Sequence, residues 1–102
     1  MYRARDRVDN EEWVARLTRA ADGLDLDSEA RSNAVDLFLS HVPDEDRSKP
    51  AVAAASLYAG ALIAGEERSQ GAVAAAMDVT RLSVQGRWKE LLSDSGFRPP
   101  EW

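Results

Sequence analysis

No cysteine occurs anywhere in the 102 residues, histidine occurs once, at His41, and lysine only at Lys49 and Lys89. The missing cysteines exclude disulfides, zinc ribbons and cysteine nucleophiles, so folding rests on a hydrophobic core. One histidine leaves little for a nucleophilic triad, and no Gly-rich phosphate loop is present, so an enzyme is not expected. Long apolar runs are missing too. The longest, "AVAAASLYAGALIA" at 51–64, is interrupted by Ser56 and Gly60 and falls short of the ~20 residues a membrane span needs. The start of the chain, "MYRARDRVDNEEW", lacks the apolar core of a secretory signal. The expectation is a cytoplasmic protein without membrane contact, small-molecule substrate, metal or cofactor.

Positive charge is scarce as well. The formal net charge is −5, and aspartates outnumber glutamates. An Asp-rich, Lys-poor surface suits solubility in molar salt, so a halophilic source is expected. At 1 M salt the Debye length is only ~3 Å, which nearly extinguishes long-range repulsion between an acidic body and another polyanion. The charge is also unevenly spread. Between 68 and 92 stand Arg68, Arg81, Arg87 and Lys89 against Asp78 and Glu90, a local +2 that leaves −7 for the rest.

Every segment with clear periodicity has the helical one, and no stretch alternates like a strand. Five helices are expected. The first runs from about Asn10 to Ala21, with Asp9 or Asn10 as cap, Trp13, Val14 and Leu17 on one face, and Gly23 suited to its C-terminal turn. The second spans about Ser28 to Ser40 and buries Ala34, Val35, Leu37 and Phe38. The third opens at Ser48, with Pro50 in its first turn, and is apolar all round, as befits a central helix. Residues 1–9 read as an arm, 10–93 as the domain and 94–102 as a tail.

The fourth and fifth helices come from "SQGAVAAAMDVTRLSVQGRWKELL", 69–92. Ser69 caps the fourth, Val73, Ala74 and Met77 face inward, Val79 plugs the turn, and Val84 and Trp88 anchor the fifth. That spacing predicts a helix-turn-helix, with Asp78 where the turn usually has glycine; aspartate enters the left-handed region more readily than most residues. On the fifth helix Arg81, Ser83 and Gln85 point outward near the N-terminal end, with Leu82 beside them. Recognition helices present their base-contacting residues from this end. Glutamine suits an adenine edge and leucine a thymine methyl, while Arg81, Arg87 and Lys89 suit phosphates. Gly86, inside this predicted helix, costs ~1 kcal/mol relative to alanine and reads as a close approach, either to DNA or to another helix.

Residues 47–92 resemble the second cyclin-like repeat of archaeal transcription factor B, a relative of eukaryotic transcription factor IIB, on "AAASLY", "GEERSQ" and "VTRLSVQGRWKELL". The segment "WVARLTRAADGLDLDSEARSNAVDLFLSHV" fits the two preceding helices more loosely. The resemblance implies an all-α, five-helix cyclin-like bundle whose last two helices bind the promoter element beside the TATA box. The family's base-reading valine and arginine fall on Leu82 and Gln85, the Ser/Thr position between them on Ser83, and phosphate contacts at the start of the third helix on Arg47, Ser48 and Lys49. Gln85 in place of arginine implies an altered sequence preference. Double-stranded DNA is the implied partner, with TATA-binding protein a second one, although in the family much of that contact involves the other repeat. A complete factor also carries a zinc ribbon, a linker and two repeats. With no cysteine and room for one repeat, this chain reads as an excised C-terminal domain or a stand-alone single-repeat regulator.

Other features have plainer readings. Arg3, Arg5 and Arg7 form a basic arm diluted by Asp6 and Asp9. Asp25, Asp27 and Glu29 imitate the start of a calcium loop without its glycine and are better read as a helix cap. The alternative function is a cyclin-type protein-interaction module without DNA binding, which predicts a contiguous exposed apolar patch away from the fifth helix.

Overall fold

Asp27 accepts hydrogen bonds from the backbone N–H groups of Glu29 and Ala30 at 3.0 and 3.1 Å, and this cap starts the second helix where the sequence places it. The computed structural model describes residues 8–96, and every regular element among them is helical: α1 Glu11–Gly23, α2 Ser28–Ser40, a 3-10 turn Asp46–Ser48, α3 Lys49–Ile63, α4 Gln70–Met77, α5 Arg81–Gln85 and α6 Trp88–Asp94. These are the five expected helices in order, the fifth divided into α5 and α6. Arg3, Arg5 and Arg7 and the end of the tail, 97–102, lie outside the described residues.

The centre is α3. From Val52 to Ala61 every side chain is buried, because neighbours lie on all its sides. The tightest approach is to α2, at Gly60. A Cβ placed there would lie 2.6 Å from the Ala34 nitrogen and 3.1 Å from the Ala30 carbonyl oxygen, so glycine at 60 and the alanines opposite let the two backbones meet. The aromatic residues then close the core on either side. Trp13 of α1 lies 6.2 Å from Phe38 of α2, centroid to centroid, and Tyr58 of α3 lies 5.3 Å from Trp88 of α6.

Left-handed residues follow four of the helices, at Asp25, Gly65, Asp78 and Gly96. Asp25 (φ 59°) and Gly65 (φ 74°) follow α1 and α3. Each sits in a pair of reversed bonds: Leu26 N–H to Ala21 and Asp25 N–H to Asp22 in one, Glu66 N–H to Ala61 and Gly65 N–H to Leu62 in the other. Asp25, not Gly23, therefore makes the turn after α1. Gly23 is the last helical residue, with nothing near its missing Cβ.

Arg68 links these two turns. Its guanidinium donates to the carbonyls of Leu24 (2.9 Å), Asp25 (3.1 Å), Glu66 (3.0 Å) and Glu67 (3.2 Å). One side chain thus ties the α1–α2 turn to the α3–α4 link. The sequence groups Arg68 with the basic element at 68–92; in the fold it turns inward and holds main chain.

Candidate nucleic-acid interface

The Ser69 hydroxyl caps α4 by accepting from Ala72 N–H at 3.0 Å. Val73 and Ala74 then bury the inner face of α4, and Met77 is half-buried. Asp78 takes the left-handed conformation, φ 58° and ψ 46°, so the turn is made without glycine as the sequence anticipates. Val79 N–H reaches back to Ala74 at 2.9 Å and Asp78 N–H to Ala75 at 3.3 Å. Thr80 restarts the helix by accepting from Ser83 N–H at 3.3 Å. Both ends of this unit are thus set by local side-chain chemistry, and Val84, fully buried, pins α5 to the core.

The outer face of α5 carries Arg81, Leu82 and Gln85, all exposed. Leu82 is 71 % exposed, the feature least expected of a helix whose only task is packing. Ser83 is half-buried, and its hydroxyl lies 3.1 Å from that of Thr80. Its role at the helix start competes with the outward role the sequence assigns it.

Gly86 and Arg87 then break the helix. Gly86 N–H reaches Leu82 at 3.0 Å, but Arg87 N–H reaches only to Val84, at 3.2 Å, and Arg87 leaves helical geometry at φ −128°. Gly86 therefore ends α5 instead of lying inside a longer helix, and only its own turn, at the Leu82 carbonyl, is near its missing Cβ. The cost expected for an interior glycine does not arise, and close packing on another helix is not its reason. Arg87 is exposed, and Lys89 is exposed with its Nζ 5.5 Å from the Trp88 ring centroid. Burial pushes the hydroxyl of Tyr58, whose ring packs against Trp88, above its ordinary range.

Arg47 and Lys49, at the entry to α3, are already held by acids close to them in the chain. His41, Pro43 and Val52 line a cleft of about 180 Å³ with Arg87, Glu90, Leu91 and Asp94, so the α2–α3 loop abuts α6. Where that loop enters α3, Arg47 pairs with Glu45 at 2.9 Å and Lys49 with Asp46 at 3.2 Å, while Ser48 is half-buried. His41 itself uses Nδ1 on the Leu37 carbonyl at 2.8 Å, at the end of α2.

Ion pairing sorts the cations. Among the described residues Arg16, Arg31, Arg47 and Lys49 have acidic partners within 4 Å. Arg81, Arg87 and Lys89 are in no ion pair, on a chain with an excess of acids; of the two other described arginines in that condition, Arg68 is spent on main-chain carbonyls, which leaves Arg19. It lies on α1, which the sequence reading leaves out of the site. Arg16, Arg19, Ala20 and Gly23 of α1 line a groove of about 470 Å³ with Ala76, Met77 and Asp78. The signal available in the sequence was the i, i+3 spacing of the two arginines.

No helix among the described residues is long and apolar enough to cross a membrane. A family model described as Transcription factor TFIIB repeat matches residues 9–94. The chain is similar to transcription initiation factor IIB of Methanosphaerula palustris, 36% identical over 76 residues, which are 72% of this chain and 23% of that protein. It is also similar to transcription initiation factor IIB of Pyrococcus abyssi, 31% identical over 87 residues, 82% of this chain and 29% of that one. Transcription initiation factor IIB 2 of Thermococcus kodakarensis is 43% identical over 49 residues, 48% of this chain and 16% of its own. The chain thus spans about a quarter of the length of the first two. With the central α3, the five helices in order and the matched span running from the start of α1 to the end of α6, the chain belongs to the transcription factor IIB repeat family.

Proposed function

We propose that this chain is a double-stranded-DNA-reading module of transcription initiation, in which α4, the Asp78 turn and α5 act as a helix-turn-helix and α5 enters the major groove. The observation that carries the reading is the outer face of α5, where Leu82 stands 71 % exposed among cations without acidic partners. Leu82 meets a thymine methyl and Gln85 an adenine edge, with Ser83 contributing through its backbone position and the edge of its hydroxyl. Arg81, Arg87 and Lys89 hold phosphates, which orients the helix without specifying sequence. Arg47, Ser48 and Lys49 add phosphate contacts once Arg47 and Lys49 exchange Glu45 and Asp46 for DNA. The family supports a promoter element beside the TATA box as the target.

The protein-interaction alternative requires an apolar patch away from α5. The exposed large hydrophobic residues among those described are Val8 and Leu82, and Leu82 belongs to α5, so the observations favour DNA.

The test is selection of duplexes from a random pool in molar salt, followed by titration of wild type, Gln85→Ala, Lys89→Ala and Leu82→Ala/Gln85→Ala. Gln85→Ala should change sequence preference by ~1–3 kcal/mol if the contact is bidentate. Lys89→Ala should weaken all sequences alike. Unchanged preference after losing both Leu82 and Gln85 would remove the base-reading claim. Repeating the titration with TATA-binding protein tests that partner: tighter binding in its presence supports it.

A further inference from the structure

Among the described residues, the cations with neither an acidic partner nor a hold on main-chain carbonyls fall into two places. Arg81, Arg87 and Lys89 flank α5 and α6, and Arg19 stands with Arg16 across the groove from Met77 and Asp78. That groove adjoins the turn from which α5 departs. Arg16 is held in position there by its own neighbours: its guanidinium carbon lies 4.6 Å from the Trp13 ring centroid, and Glu12 is 3.6 Å away. Neither contact neutralises Arg19.

A helix in the major groove has a phosphate strand on either side of it, roughly 12 Å apart. Arg87 and Lys89 lie beyond the C-terminal end of α5. Arg16 and Arg19 lie beyond its N-terminal end, on a different helix. We propose that Arg16 and Arg19 form a second phosphate-holding site, which grips the strand opposite the one held by Arg87 and Lys89 and so fixes the angle at which α5 enters the groove. The ligand is a backbone phosphate of the same duplex, so this inference rests on the DNA reading above.

One residue in the groove opposes it. The Asp78 carboxylate is exposed beside the two arginines, and it sits there because the turn needs a residue that tolerates left-handed geometry, which asparagine satisfies equally. If phosphate approaches this groove, Asp78 repels it.

Three variants of the full chain separate the possibilities, each titrated with the selected duplex and with a random duplex pool across a range of salt concentrations. Arg16→Ala/Arg19→Ala should weaken binding to both probes by the same factor, about tenfold, and reduce the slope of log affinity against log salt by about 1 to 2. Asp78→Asn should tighten both probes equally. Leu82→Ala/Gln85→Ala should lose preference between the probes, which reports on the parent reading. Unchanged affinity and slope for the double-arginine variant, with preference still lost in the α5 variant, would overturn this inference alone. A loss confined to the selected duplex would also overturn it, since phosphate contacts carry no sequence. Absence of wild-type binding to any duplex would overturn both.

Discussion

The rings of Tyr58 and Trp88 meet edge to face, their centroids 5.3 Å apart and their planes inclined at 68°. Tyr58 lies on the central helix and Trp88 opens α6, so this contact fastens the far end of the candidate interface to the core. Trp88 is 2 % exposed, and truncation leaves a large cavity.

Trp88→Ala is therefore expected to cost about 3–5 kcal/mol, a large share of the ~5–15 kcal/mol typical of a domain. Trp88→Phe, which keeps a ring against Tyr58, should cost clearly less. Urea unfolding of the two variants checks this. Equal losses would mean that neither the retained ring volume nor its contact with Tyr58 supports the fold.

Gly60 and Gly71 should respond oppositely to the same change. At 60 a methyl group would collide with the Ala34 backbone, whereas nothing lies within 4 Å of the position a Cβ would take at 71. Gly60→Ala should destabilise by about 1–3 kcal/mol through overpacking, although alanine is the better helix former. Gly71→Ala, on the open side of α4, should stabilise by about 0.5–1 kcal/mol. Melting temperatures moving in the same direction would contradict the close α2–α3 crossing.

Arg68→Ala should loosen the joint between the two turns. Four main-chain carbonyls lose their guanidinium donor, at a net cost of about 2 kcal/mol. Lysine cannot reproduce the planar fork, so Arg68→Lys should recover little of the loss. Hydrogen exchange should rise at Leu26 and Glu66, whose N–H groups close the turns Arg68 joins. Exchange unchanged there would show that the turns stand without it.

Asp27 and Glu66 predict a pH dependence. Asp27 N–H faces both Glu66 carboxylate oxygens at 3.4 Å, which brings the two acidic side chains together; their interaction raises the Glu66 carboxyl above its ordinary value near 4.5 and lowers Asp27 below its value near 3.8. Asp27 is the ionised partner because it also accepts the two N–H groups at the start of α2. The raised Glu66 stabilises the fold below its ordinary value, and that contribution fades as pH rises through its folded value. The lowered Asp27 stabilises above its ordinary value and fades as pH falls through its folded value. The pair should favour the fold most in the acidic window between the two folded values. Glu66→Gln, which keeps a donor facing Asp27 at all pH values, should be more stable than wild type at pH 7 and lose that advantage toward about pH 4. An advantage independent of pH, measured by urea midpoints, would rule out the shared proton.

Much of this protein follows from short-range chemistry that a sequence displays directly. Asp27, Ser69 and Thr80 cap helices because an oxygen at that position reaches N–H groups two or three residues ahead. Ala34, Val35, Leu37 and Phe38 lie inside because helical periodicity puts them on one face, and α3 is central because it has no polar face to offer water. Asp78 in the turn and Leu82 and Gln85 on the outer surface of α5 also follow from spacing alone.

What distant segments do to one another is written in no local pattern. Only the tertiary structure decides that Gly60 serves the Ala34 backbone and that Arg68 faces carbonyls 43 and 44 residues earlier in the chain. The same holds for the break after Gly86, where Val84 and Trp88 must both reach α3 and the backbone leaves helical geometry at Arg87. A helix face fixes which residues can meet water. Whether an arginine on that face meets an acid, a carbonyl or open solvent depends on what the rest of the chain brings within 4 Å, and that is why Arg19 came into view only once α1 lay beside α4.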